Sequence, residues 1–152
     1  MNSIAVKYGL YGLVFSLALF LGMLYFGMGL EFNTQEFLGY LTIVVSLCFV
    51  YFGIRHYRDR VNNGKLTFGK GFLIGILITL FSAIGIAIAD YIYTTAIYPE
   101  FFDDYAKMMR EQGFTGDIPE YSSGFMAFIM YVTVVLIGIV VSLFSALILK
   151  RR

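Results

Sequence analysis

FMAFIMYVTVVLIGIVVSLFSALILKRR, residues 125–152, decides the fold. No side chain from Phe125 to Leu149 carries a charge, and the run stops on Lys150, Arg151 and Arg152. A helix rising 1.5 Å per residue needs about 20 apolar residues to cross the hydrocarbon core. This stretch is long enough. Residues 8–29, 37–54 and 72–90 read the same way, the last ending on Asp90. The whole 152-residue chain is 59% hydrophobic and 14% charged, with mean hydropathy +0.79. A water-soluble domain runs nearer half apolar and a quarter charged, so composition and spans agree. One cysteine, Cys48, excludes an intrachain disulfide and a cysteine metal cage. A disordered chain, a soluble nucleic-acid binder and a secreted disulfide scaffold are excluded with them.

The expected fold is therefore all-α and polytopic. One transmembrane domain, residues 1–152, contains four spans arranged as two antiparallel hairpins, with an outer insert at 91–124. The first span is too long for the apolar region of a cleaved signal peptide and is followed by no small-residue cleavage pattern. Orientation follows from the loops. Lys7, then Arg55, Arg58, Arg60, Lys65 and Lys70, then Lys150, Arg151 and Arg152 hold nine of the eleven Lys/Arg residues and share one side. The positive-inside rule places that side in the cytoplasm, both termini included. Helix continues past span 2 through Arg58, Asn62-Asn63-Gly64 turns the chain, and Thr67 caps span 3.

Little hydrophobic force acts between helices already in lipid, so they associate where small residues let backbones approach. Gly39, Thr42, Ser46 and Gly53 in span 2, Gly71, Gly75, Thr79 and Ser82 in span 3, and Gly138, Ser142 and Ser145 in span 4 form such stripes. Span 1 offers Gly12, Ser16 and Gly27 less regularly. These stripes hold the bundle together or join copies of it. A shift of 63 lays Lys7, Gly12, Ser16 and Gly22 on Lys70, Gly75, Thr79 and Gly85; a shift of 96 lays Thr42–Leu47 on Gly138–Leu143. Duplication of a hairpin and chance similarity among apolar helices both account for these echoes.

In the outer insert, Pro99 opens and Gly113 closes a predicted helix over 100–112. Phe101, Phe102, Tyr105, Met108 and Met109 recur on one side, with Asp103, Asp104, Lys107, Arg110 and Glu111 on the other. Residues 100–120 carry six acids and two bases. A helix held to anionic lipid by charge is basic instead. This one lies on the outer leaflet or caps the bundle by apolar burial, or docks a partner protein. Tyr91, Tyr93, Tyr98 and Tyr121 read as an outer interfacial belt, and Tyr8, Tyr51 and Tyr57 as an inner one.

Ionisable residues inside a membrane are functional suspects by default. None stands near a midplane here. Asp90 comes closest, ~27 Å along span 3 from Phe72; it reads as a boundary acid or as an ion or proton site. His56 is the only histidine, and with Asp59 alone at ligand spacing it holds no metal. It reads as a surface residue among arginines. Cys48 reads as a buried, inert thiol. Gly64 to Gly71 lacks the glycine–lysine–hydroxyl order of a phosphate loop, and no Ser/His/Asp set appears. No catalytic residue, cofactor or metal is expected, and no nucleic acid partner. The cations Arg55, Arg58, Arg60, Lys65, Lys70, Lys150, Arg151 and Arg152 form a rim for anionic lipid.

Tyr57-Arg58-Asp59, Gly64-Lys-Leu-Thr-Phe-Gly-Lys-Gly-Phe72, Tyr91-Ile-Tyr93 and Ile97-Tyr-Pro-Glu-Phe101 carry a resemblance over nearly the whole chain. The sequence resembles a bacterial family of small four-span membrane proteins catalogued as a domain of unknown function. The resemblance implies a bacterial cytoplasmic (inner) membrane address and supplies no activity, substrate or site. The expected role is a non-catalytic accessory or scaffold component. A small oligomeric transporter or channel and a lipid-interacting protein are the alternatives. The bilayer is the certain partner; a homo-oligomer or a larger membrane complex stays open.

Overall fold

Hydrocarbon offers no hydrogen-bond partner, so every backbone group within it must be satisfied inside the chain. Uncharged runs rich in Leu, Ile, Val, Phe and Gly therefore become helices. The computed structural model describes all residues, 1–152. Its helices are α1 (Asn2–Phe26), α2 (Phe32–Ser46), α3 (Cys48–His56), α4 (Phe68–Ile92), α5 (Phe101–Glu111) and α6 (Ser123–Leu149). Four spans are long and apolar enough to cross a membrane: α1, α2 with α3, α4 and α6. The short α5 lies between the third and fourth. Thr67 and Ser122 cap α4 and α6, their hydroxyls accepting from the amides of Lys70 and Phe125 at 3.4 and 3.2 Å.

The spans overrun the apolar runs at several ends. α1 begins at Asn2 and carries Lys7 within it. α3 widens into a π-helical turn at Tyr57–Val61, and α4 does the same at Tyr93–Ile97. Residues 91–97 are thus helix rather than the start of a loop. The second span breaks at Leu47, whose amide is shared between the Ile43 and Val44 carbonyls at 3.2 Å each. Neither proline nor glycine stands there. Thr42 Oγ1 and Ser46 Oγ instead donate back to the Leu38 and Thr42 carbonyls, at 2.7 and 2.8 Å, and such back-bonding bends helices.

Burial differs from that of a soluble protein in two respects, buried hydroxyls and exposed large apolar side chains. Ser16, Ser46, Thr79, Ser82 and Ser142 are 0% exposed, while Val14, Leu136 and Ile148 are 65, 59 and 70% exposed. Polar small residues share the helix contacts with a buried apolar cluster that includes Ile43, Leu47, Ile54, Ile74, Ile78 and Ile86, and other large apolar side chains face outward.

α4 is the hub. It lies parallel to α1 on one side and antiparallel to α6 on the other. Against α6, a Cβ on Gly75 would stand 2.6 Å from Ser142 Oγ, and one on Gly138 would overlap Thr79. A Cβ on Gly71 would meet Ala146 Cβ at 3.2 Å. These three pairs share one antiparallel register. Against α1, Gly12 seats Ser82 and Gly85 seats Ser16. Each helix thus offers a glycine notch and a hydroxyl-bearing knob to its neighbour. Ser16 Oγ also donates to the Ser82 carbonyl at 3.0 Å. Such a bond contributes only ~0.6 kcal/mol on average in a membrane protein, less than the ~1–3 kcal/mol cost of overfilling a packed notch. Close approach therefore dominates.

The stripes expected in span 2 divide. Gly53 is tight against Ile78 and Tyr8, whereas Gly39 has only ordinary contacts with Met23 and Phe20. Gly27 ends α1 and takes no part in a helix seam; Gly22 has nothing within 4 Å of an added Cβ, unlike its sequence counterpart Gly85. The two hairpins also pack differently. Gly75 seats Ser142 of its own hairpin, but Gly12 seats Ser82 of the other. Tyr93 and Tyr57, expected in interfacial belts, are only 1 and 6% exposed. The continued helix turns carry both rings into the bundle.

Gly75→Ala should destabilise the protein by ~1–3 kcal/mol through the clash with Ser142. Gly22→Ala should be neutral or stabilise by up to ~1 kcal/mol, the helix-propensity gain. Thermal melts of the two variants in one detergent check the contrast.

Candidate functional site

The bundle has two unlike ends. One holds nine bases and a single acid, Asp59; the other holds the remaining nine acids with Lys107 and Arg110.

At the basic end the chain turns through Asn63 and Gly64, both with positive φ, 52° and 77°. Asparagine and glycine tolerate that region best. The Gly64 amide donates to the Arg58 carbonyl at 2.7 Å, and Asn62 Nδ2 donates to the Lys65 carbonyl at 2.7 Å. Leu66, flanked by polar residues in sequence, is 2% exposed and packs against Gly71. Its backbone pairs with Arg151: each amide donates to the other's carbonyl, at 2.7 and 2.9 Å. This bridge extends the α4–α6 register beyond both helices. The eight rim cations are thereby drawn together, but they are not equivalent. Arg58 reaches Asp59 at 2.6 and 3.2 Å and the Leu149 carbonyl at the end of α6 at 3.4 Å. Arg55 also approaches Asp59, at 3.6 Å. Arg60, Lys65, Lys70, Lys150, Arg151 and Arg152 are exposed or nearly so and form no ion pair.

His56 is not a free surface residue. Its Nδ1 lies 3.1 Å from the Tyr8 hydroxyl, joining α3 to α1. Asp59 faces the arginines, and no three His, Cys, Asp or Glu side chains gather at metal-ligand spacing. Cys48 is half-buried with a free thiol.

At the acidic end α5 touches the bundle through its aromatic side chains. Its start lies one residue later than predicted, with Pro99 and Glu100 in the turn before it. Gly113, at φ 92°, closes it as expected: its amide donates to the Arg110 carbonyl at 3.0 Å, and that of Phe114 to Met109 at 3.1 Å. Phe101 anchors the helix, its ring 5.8 Å from Phe32, 5.9 Å from Tyr93 and 6.1 Å from Tyr98. Aromatic pairs of this kind contribute ~0.5–1.5 kcal/mol each. The rings of Phe101 and Tyr105 meet Phe32, while no residue of α5 is fully buried. Between it and α2 runs a polar groove of about 350 Å³, lined by residues such as Glu31, Asn33, Asp104 and Glu111. An apolar groove of about 330 Å³ lies between the acidic halves of α4 and α6, with Ala87, Gly124 and Ala127 as its floor. Neither groove is lined by Ser16, Thr79, Ser82 or Ser142.

Asp90 is half-buried on α4, about three turns beyond Thr79 on the row that faces α6. It forms no ion pair. Thr94 Oγ1 donates to its carbonyl at 3.0 Å, not to its carboxylate. One helical turn on, the buried Tyr93 hydroxyl has no partner.

The sequence signalled none of the three clasps: Leu66 with Arg151, Tyr8 with His56, and Phe101 with Phe32. An isolated leucine between Lys65 and Thr67 was the one available clue to the first.

Two outcomes test these ends. The Leu66 and Arg151 amides should exchange with deuterium far more slowly than those of Phe68 and Arg152, which have no backbone partner. The Tyr98 hydroxyl donates to Asp104, which with burial pushes the phenol up from 10 to about 12. A raised value means that the protonated phenol stabilises α5. That contribution should be full below pH 10 and lost as pH rises through about 12. Protection of the α5 amides, corrected for base-catalysed intrinsic exchange, should therefore fall over this window, and Tyr98→Phe should flatten the response.

No curated protein and no solved structure matches the chain significantly. One family model does, described as a protein of unknown function (DUF4199), and it covers residues 7–151. That range takes in the four spans, the Leu66–Arg151 bridge and α5. The chain is a multi-spanning membrane protein and belongs to the DUF4199 family.

Proposed function

We propose that this protein is a non-catalytic accessory or scaffold component of a bacterial cytoplasmic membrane, with its basic end in the cytoplasm and α5 outside. The charge asymmetry supports that orientation, nine bases with one acid against two bases with nine. One observation carries the scaffold role. The hydroxyl residues that would line a conduit are used as packing knobs: Thr79 Oγ1 lies 3.4 Å from Ser142 Oγ, both fully buried. Ser16 and Ser82 are buried in the α1–α4 seam in the same way. Transport through a single copy would have to separate these seams. A rigid seam, with an amphipathic helix held at one end, suits a part that supports or positions other membrane components.

Extraction in mild detergent should bring down a stoichiometric membrane partner. The purified chain alone, in sealed vesicles, should pass no more ions or protons than empty vesicles. A partner-free monomer would overturn the proposal, and flux that Asp90→Asn abolishes would overturn it in favour of transport. Cysteine labelling of Lys65→Cys and Asp117→Cys in a Cys48→Ser background should mark opposite sides, Asp117 outside.

A further inference from the structure

The six unpaired cations of the rim are not spread evenly. An antiparallel bridge at Leu66 and Arg151 sets Lys65 opposite Arg152 and Thr67 opposite Lys150. Lys70 stands in the first turn of α4, beside Gly71, which touches Ala146 one turn before Lys150. Lys65, Lys150 and Arg152 are thus brought together from two segments at one corner, with Lys70 in the adjoining first turn of α4, and Asp59 is occupied by arginines. The first amides of α4 open on the same corner. Thr67 caps only the Lys70 amide, and nothing lies within 4 Å of a Cβ built on Gly69. A helix start with free amides favours an anion. Beside it Phe68 and Phe72 stack at 5.8 Å, with Phe68 exposed. The corner also lies at the membrane surface: Lys70 is two residues before the apolar run at Phe72, and Lys150 directly follows Leu149.

We propose that this corner is a binding pad for the phosphate of an anionic lipid headgroup, whose acyl chains run along Phe68, Phe72 and the flanks of α4 and α6. A positive-inside signal needs bases anywhere on the correct side. A pad needs these four, held by the backbone bridge. The assignment does not depend on the scaffold role.

The test is native mass spectrometry of the full chain in a neutral detergent, titrated with phosphatidylglycerol or phosphatidylcholine of matched acyl chains. The wild type should retain phosphatidylglycerol selectively. Each base near an anionic surface is worth roughly fivefold in affinity. K70Q/K150Q/R152Q should therefore weaken retention about a hundredfold. K7Q/R55Q/R60Q, with the same loss of charge at the same end, should stay within about fivefold of wild type, because these bases lie on α1, α3 and the π-helical turn rather than on the bridged segments. The charge-preserving K70R/K150R/R152K should bind as wild type does. If the first triple does not insert, K65Q/R152Q should show a loss of about 25-fold. Equal retention of both lipids, or equal loss in the two neutral triples, would overturn the pad and leave only diffuse attraction.

Discussion

Everything in this protein depends on how closely α4 approaches its two neighbours. In hydrocarbon the apolar side chains gain little by leaving lipid, so the hydrophobic effect that builds soluble cores is largely absent. What remains is dispersion between surfaces that fit, and that falls off steeply with separation. Glycine notches filled by serine and threonine knobs bring the helices into that range. The exchange is reciprocal across both seams: Gly75 with Ser142 and Gly138 with Thr79 on one side, Gly12 with Ser82 and Gly85 with Ser16 on the other. The hydroxyls act more by size and shape than by hydrogen bonding. Ser82 Oγ has no partner at all although it is buried. A lost hydrogen bond of that kind costs ~1–3 kcal/mol, and the tight contacts around it must offset that cost.

The same register organises the basic end. Because α4 and α6 are locked antiparallel, the segments leaving them meet in step, and Leu66 and Arg151 exchange backbone hydrogen bonds. The bridge gives a short loop and a basic tail a fixed relation that neither would have alone. Arg58 completes the arrangement by turning inward on the Leu149 carbonyl at the end of α6. The acidic end is closed by different means, an aromatic cluster around Phe101 and a glycine-stopped helix. One end of the bundle is therefore held by backbone pairing and the other by ring packing.

The four spans were legible because a charge-free run longer than about 20 residues has few other uses. The Thr67 cap, the Asn63-Gly64 turn and the Gly113 stop were legible for local reasons, since each position requires a particular residue chemistry. The packing partners were not. A helix that is apolar all round carries no periodic signal to say which face is inside, so Gly22 and Gly85 look alike in sequence and differ wholly in surroundings. The break at Leu47 was hidden because it arises from Thr42 and Ser46 rather than from proline or glycine. The burial of Tyr93 was hidden because α4 runs about two turns past its apolar segment. Of the candidate residues, the rim cations could be named but not sorted; sorting Arg58 from Lys70 needed the position of Asp59 and the end of α6.

The α4–α6 register can be measured directly. A cysteine pair G71C/A146C in a Cys48→Ala background would place its Cβ atoms about as close as a disulfide demands, 3.2 Å against ~3.5–4.5 Å. In native membranes under mild oxidation, that pair should close into an intramolecular disulfide in nearly all molecules, while G71C/I139C, two turns out of step, should not. Failure of the first pair to close, closure only between copies, or equal closure of both pairs would contradict the glycine-notched seam on which this structure rests.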